Sequence, residues 1–91
     1  MLKSYIAFDL ETTGLNPEQN EIIEIGALKV RDGKVQERFM EFVRPTENIS
    51  PVVMNLTGIT NEMVADARSS RNVIPDFLDF CGDDILIGHN V

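Results

Sequence analysis

Asp9 and Glu11 are the residues of this chain whose types and spacing point most directly to chemistry. They stand two apart at the end of the run Tyr5-Ile6-Ala7-Phe8-Asp9-Leu10-Glu11, which stops abruptly in Thr12-Thr13-Gly14. Successive side chains of a β-strand alternate faces, so the two carboxylates point the same way, about 7 Å apart along the strand. Phe8 and Leu10 point the other way. Acids placed like this can share a cluster of ions, and hard cations such as Mg²⁺ and Mn²⁺ favour oxygen ligands. The bland alternative is a strand ending at Phe8 and then a solvated turn. Against it, the acids follow apolar residues, and Thr12, Thr13 and Gly14 set backbone N–H groups and hydroxyls beside them.

Other reactive side chains carry weaker signals. Glu24 interrupts the apolar run Ile22-Ile23-Glu24-Ile25, where a strand-edge position or a place behind the ligands fits better than direct ligation. Glu18, Glu21, Glu37, Glu41, Asp76 and Asp79 read as solvated faces. Cys81, the single cysteine, lies in an apolar helical pattern and reads as a buried core thiol. His89, the single histidine, reads as a hydrogen-bonded residue shaping a site, ahead of a proton-transfer role.

The elements that must position Asp9 and Glu11 follow from the pattern. Tyr5 to Glu11 is a strand apolar on both faces, which predicts a central place covered on both sides. Residues 16–20 form a polar surface loop. Glu21 to Arg31 is a second, β-branched strand in which Gly26 admits a close neighbour. Asp32-Gly33 suits a two-residue type I′ hairpin, so Val35 to Val43 returns antiparallel as an edge strand. Ser50-Pro51 opens a short helix that Thr57-Gly58 closes, and Thr60-Asn61-Glu62 opens another. Ala67 to Arg71 reads as a mobile link. Asn72 then caps a third helix with Pro75 in its first turn and Ile74, Phe77, Leu78 and Cys81 on one face, ended by Gly82. Ile85-Leu86-Ile87 is a last strand. Reached through helices, it runs parallel to the first and brings its end to the carboxylates.

The chain of 91 residues is one small domain with no long apolar stretch and no cationic leader, which predicts a cytoplasmic protein without a membrane partner. Its net charge of −7 speaks against a nucleic-acid partner, because phosphate binding leaves a basic footprint. A metal-dependent nuclease partly escapes that rule, since its cations meet the phosphate.

Phe8-Asp9-Leu10-Glu11-Thr12-Thr13-Gly14-Leu15 resembles the first motif of the DEDD-type 3′–5′ exonucleases, the group that includes the proofreading epsilon subunits of bacterial DNA polymerase III. Ile22 to Ala27, Thr57-Gly58-Ile59 and Gly88-His89-Asn90-Val91 follow in the family's order. The resemblance implies an α/β fold of the ribonuclease H-like type, a mixed sheet of antiparallel strands one to three with a parallel fourth strand beside the first. It implies two Mg²⁺ or Mn²⁺ ions, with Asp9 and Glu11 as catalytic ligands. Two ions of this kind activate water and stabilise the leaving oxygen of a phosphodiester. It also implies contacts from Thr12, Thr13 and Gly14 to the terminal nucleotide, an apolar contact from Leu15, and a base pocket lined by Ile59. Thr57 stands where the epsilon-type subunits carry a histidine. His89 and Asn90 belong to the segment before the family's third carboxylate.

The implied function is removal of nucleotides from the 3′ end of a single strand, DNA ahead of RNA, in replication proofreading or repair, with a DNA polymerase as partner. Only two of the family's four acids are present, so residues 1–91 read as the N-terminal portion of a single exonuclease domain truncated at the C-terminus, inactive alone and prone to self-association through its fourth strand. The alternatives are an RNA-trimming exonuclease and a catalytically incomplete module that binds nucleic acid or a polymerase.

Overall fold

The computed structural model describes residues 3–14 and 18–88. In chain order it contains β1 (Tyr5–Thr12), β2 (Ile22–Arg31), β3 (Lys34–Phe42), α1 (Pro51–Thr57), α2 (Asn61–Val64), α3 (Ser70–Cys81) and β4 (Leu86–Gly88). The sheet order is β3-β2-β1-β4. β1 and β2 are antiparallel, as are β2 and β3. β4 lies parallel to β1, with Ile6 opposite Leu86 and Phe8 opposite Gly88. This is the mixed α/β sheet expected from the sequence.

The β2–β3 connection has the predicted form. Asp32 and Gly33 adopt φ of 53° and 76°, both left-handed as a type I′ turn requires. β3 ends the sheet on one side and β4 on the other, so β1 sits inside it.

Alternation along the strands separates the two faces. Ile6, Ile25 and Ala27 pack with Val43 and with Val73, Phe77 and Cys81 of α3. Phe77 also meets the rings of Phe8 and Phe39, at centroid distances of 6.1 and 5.6 Å. Farther along the same face, Ile23 packs with Ile49, Ile59 and Val64, bringing in the α1–α2 segment. Ile6, Ile23, Ile25, Val43 and Val73 are fully buried, each contributing on the order of 1.5–3 kcal/mol of transfer free energy.

The opposite face differs from the expectation. β1 was predicted to be covered on both sides, yet among the described residues the helices bury their apolar side chains only on the Ile6 and Ile25 face. The other face carries Ala7, Asp9 and Glu11, and no described helix packs an apolar stripe on it.

α1 begins where Ser50-Pro51 placed it: Ser50 Oγ accepts a hydrogen bond from Val53 N–H at 3.2 Å, and Gly58 closes the helix at φ 77°. Thr60 caps α2 by accepting from Met63 N–H. The stretch 67–71 is not a free link. Arg44 bridges Ser69, and Arg68 pairs with Asp76 at 2.7 Å and with Glu41 at 3.3 Å. α3 starts at Ser70 with Ser69 as N-cap, three residues before the predicted Asn72 cap, and Pro75 lies inside the helix rather than in its first turn. Its buried stripe is Val73, Phe77 and Cys81, at i, i+4 and i+8, while Leu78 is exposed. Phe77 and Cys81 belong to the expected stripe and Ile74 packs beside it, while packing against the sheet buries Val73 in place of Leu78. Gly82 ends α3 as expected.

Glu21 is a further departure. Its carboxylate accepts from Thr46 N–H at 2.9 and 3.0 Å, from the Thr46 hydroxyl at 3.1 Å and from Glu47 N–H at 3.4 Å. It organises the turn after β3 instead of standing solvated. Glu37, Glu41 and Asp76 also have partners, in surface ion pairs with Lys29 or Arg68. No described helix is long and apolar enough to cross a membrane.

Candidate active site

Asp9 and Glu11 project from β1 onto the open face, and β2 supplies the facing residues. Asp9 stands opposite Gly26, and Glu11 stands opposite Glu24. All three carboxylates line one shallow cavity of about 320 Å³, floored by Ala7, Gly26, Leu28 and Met40. Gly26 has a defined part in its shape, since a Cβ there would lie 3.2 Å from Met40 Sδ. Without that Cβ, the Met40 side chain, 64 % exposed, can lie over β2.

The electrostatics are lopsided. Among the described residues, neither Asp9 nor Glu11 forms an ion pair. Glu24 responds to this: burial, then the charges of Glu11 and Asp9, push its carboxyl above the ordinary value. The site gathers negative charge beside an apolar floor, which favours an incoming cation.

The donor set suits a hard cation. The polar side chains lining the cavity are all carboxylates, with neither thiol nor imidazole among them. Asp9 and Glu11 would hold such an ion. Among the described residues no three His, Cys, Asp or Glu side chains converge as one ligand group, so the pair supplies part of a coordination shell.

The segment after β1 is braced. Thr13 N–H donates to the Glu21 carbonyl at 2.9 Å, and Glu21 N–H donates to Thr13 Oγ1 at 2.9 Å. The Thr12 hydroxyl donates to the Gly14 carbonyl at 2.6 Å. Gly14 lies so close to Asn20 that a Cβ would meet its side chain at 2.7–2.9 Å. These contacts fix the backbone immediately beyond the carboxylates.

Thr57 and Ile59 are not among the residues lining this cavity. The Thr57 hydroxyl donates to the Val53 carbonyl at 2.9 Å and accepts from Ile59 N–H at 3.1 Å. Ile59 is 3 % exposed and packs into the second core cluster. Leu15, His89 and Asn90 lie outside the described residues.

The sequence set Glu24 at a strand edge or behind the ligands, and in the structure it lines the same cavity as Asp9 and Glu11. Its signal was the alternation itself: with Ile23, Ile25 and Ala27 facing the core, Glu24 and Gly26 must face away. The missing step was the register that sets Glu24 across from Glu11.

Comparison with known proteins gives consistent results. The family model RNase_T, described as Exonuclease, matches residues 6–91. The PolC-type DNA polymerase III of Bacillus subtilis (strain 168) is 43 % identical over 88 residues, which is 97 % of this chain and 6 % of that protein. The PolC-type enzyme of Latilactobacillus sakei subsp. sakei (strain 23K) is 47 % identical over 87 residues, 96 % of this chain and 6 % of that protein. Among solved structures, exonuclease X in complex with 5′ overhanging duplex DNA superposes with a TM-score of 0.79 at 37 % identity, covering 94 % of this chain and 48 % of that one. Product-bound exonuclease I shares the fold, with a TM-score of 0.84 at 16 % identity over 99 % of this chain and 22 % of its own. The chain thus spans a small part of its PolC-type relatives and about half of exonuclease X.

Proposed function

Because the chain belongs to the exonuclease family whose model matches residues 6–91, we propose that Asp9 and Glu11 serve a 3′–5′ exonuclease acting on the end of a DNA single strand. In this reaction water adds to the terminal phosphorus, the bond to the 3′ oxygen breaks, and a nucleoside 5′-monophosphate leaves. The carrying observation is the pair of carboxylates on one face of β1, without an ion-pair partner among the described residues, at the edge of an apolar-floored cavity.

Two divalent ions, Mg²⁺ or Mn²⁺, when bound, supply the activation of water and the neutralisation of charge on the phosphoryl group. Asp9 and Glu11 would hold these ions in part. The braced Thr12-Thr13-Gly14 segment keeps its backbone fixed beside them and presents it to the terminal nucleotide. Ala7, Gly26, Leu28 and Met40 give the cavity an apolar floor beside the carboxylates. Leu15, Thr57, Ile59, His89 and Asn90 belong to the proposed substrate contacts by resemblance. Residues 1–91 would form the N-terminal portion of the domain, with further acidic ligands supplied from beyond Val91. The likeness to PolC-type polymerases supports a proofreading setting with a polymerase as partner.

The test is an end-labelled oligonucleotide assay with the polypeptide that carries this segment and Mn²⁺. A 5′-labelled oligodeoxynucleotide should shorten stepwise from its 3′ end, faster than the matching oligoribonucleotide, and Asp9→Asn or Glu11→Gln should slow it by about a hundredfold or more. Internal cuts, or release from the 5′ end, would overturn the proposal. The alternative is a module that binds nucleic acid or a polymerase without cutting. Oligonucleotide binding without product at any Mn²⁺ concentration would select that alternative.

A further inference from the structure

We infer that Glu24 is a positioning residue of this site, whose charge raises the divalent-cation affinity of Asp9 and Glu11 from across the β1–β2 ladder without itself being a ligand. The inference rests on the proposed metal site and deepens it. Glu24 is set directly opposite Glu11 by the antiparallel register, and its neighbour two residues on, Gly26, is opposite Asp9. Directly paired side chains of such a ladder have Cβ atoms roughly 4.5–5.5 Å apart. Glu24 lines the same cavity as the two acids. Yet the three do not form a ligand group, which leaves Glu24 to act through its field and through water.

A carboxylate in that position has opposite effects on the empty and loaded chain. Without a cation, three like charges on adjacent strands repel, and a partly buried Glu24 destabilises the fold. With a cation held by Asp9 and Glu11, the same charge is attractive and its oxygens can accept hydrogen bonds from water around the ion. A glutamate that served the fold alone would show neither effect in this combination.

The experiment uses the whole chain and Mn²⁺ alone, following paramagnetic broadening of backbone amide signals around Asp9, Glu11 and Gly26, with thermal unfolding in chelator measured in parallel. Glu24→Gln should melt higher than the wild type in chelator and should require roughly three- to tenfold more Mn²⁺ for half-maximal broadening, the effect of one unit charge acting on a divalent ion near the protein surface. Glu24→Asp, which keeps the charge, should bind Mn²⁺ closer to wild type. Asp9→Asn should lose the localised broadening. If Asp9→Asn loses it and Glu24→Gln keeps wild-type affinity, Glu24 has no such role while the metal site stands. A Glu24→Gln chain that melts lower, or fails to fold, likewise overturns the inference. If wild type and Asp9→Asn behave alike, the metal-site proposal falls and this one with it.

Discussion

Thr13 and Glu21 hold each other twice, backbone N–H to carbonyl in one direction and backbone N–H to threonine hydroxyl in the other, both at 2.9 Å. The pair closes the connection between β1 and β2 just beyond the two carboxylates. Thr13→Val keeps the shape and the β-branched stiffness but removes the acceptor for Glu21 N–H. We expect a loss of about 1 kcal/mol in urea unfolding, with faster amide exchange at Glu21 than elsewhere in β2. Unchanged exchange there would mean that the hydroxyl is dispensable.

Gly14 is restricted by what stands next to it. A Cβ would fall 2.7–2.9 Å from Oδ1, Cγ and Nδ2 of Asn20, so Gly14→Ala forces that side chain to move. The expected destabilisation is about 1–2 kcal/mol. Most of the added effect should disappear in the background of Asn20→Ala, which a double-mutant cycle by denaturant unfolding would reveal as coupling.

The raised Glu24 carboxyl makes stability depend on pH in a defined direction. In the unfolded chain Glu24 ionises near its ordinary 4.5, whereas burial and the charges of Glu11 and Asp9 hold the native carboxyl higher. Between those values the folded chain keeps a proton that the unfolded chain has lost, so stability falls as pH rises through this window. The penalty is absent below the ordinary value and complete above the native one. Comparing urea midpoints for wild type and Glu24→Gln across this range should show the variant gaining relative stability as pH rises.

Cys81 should be inert in the native state. It is buried in the main core cluster at 3 % exposure, and burial pushes its thiol up, against a smaller opposing influence from Lys29. The burial suppresses the thiolate that a disulfide reagent needs and also blocks its approach. Labelling should be slow in native buffer, become rapid in denaturant, and follow the opening of α3 from the sheet.

Ile25 lies at the centre of the core face, fully buried between β1 and β3. Ile25→Ala should cost about 2–5 kcal/mol through lost transfer energy and the cavity left behind. Calorimetry that shows a loss under about 1 kcal/mol would mean the core closes over the gap.

Local chemistry made much of this molecule legible from residue order alone. Alternation put Asp9 and Glu11 on one side of β1, because strand geometry leaves no other choice. Asp32-Gly33 turned the chain because both positions tolerate positive φ. Ser50-Pro51, Gly58 and Gly82 marked helix ends through capping and backbone freedom. The exonuclease kinship was likewise readable in the motif around Asp9, and the family match over residues 6–91 agrees with it.

Tertiary structure decided what depends on partners distant in sequence. Hydrophobic periodicity put Phe77 and Cys81 on the buried face of α3, and only packing against the sheet buried Val73 in place of Leu78. Arg68 holds the chain before α3 through Glu41 and Asp76, a triangle with no local signature. Glu21 reached the turn at Thr46 in the same way. Above all, the antiparallel register placed Glu24 opposite Glu11. A single-residue slip would have turned that carboxylate to the core, so composition and spacing could identify the acid but only strand pairing could give it a place in the site.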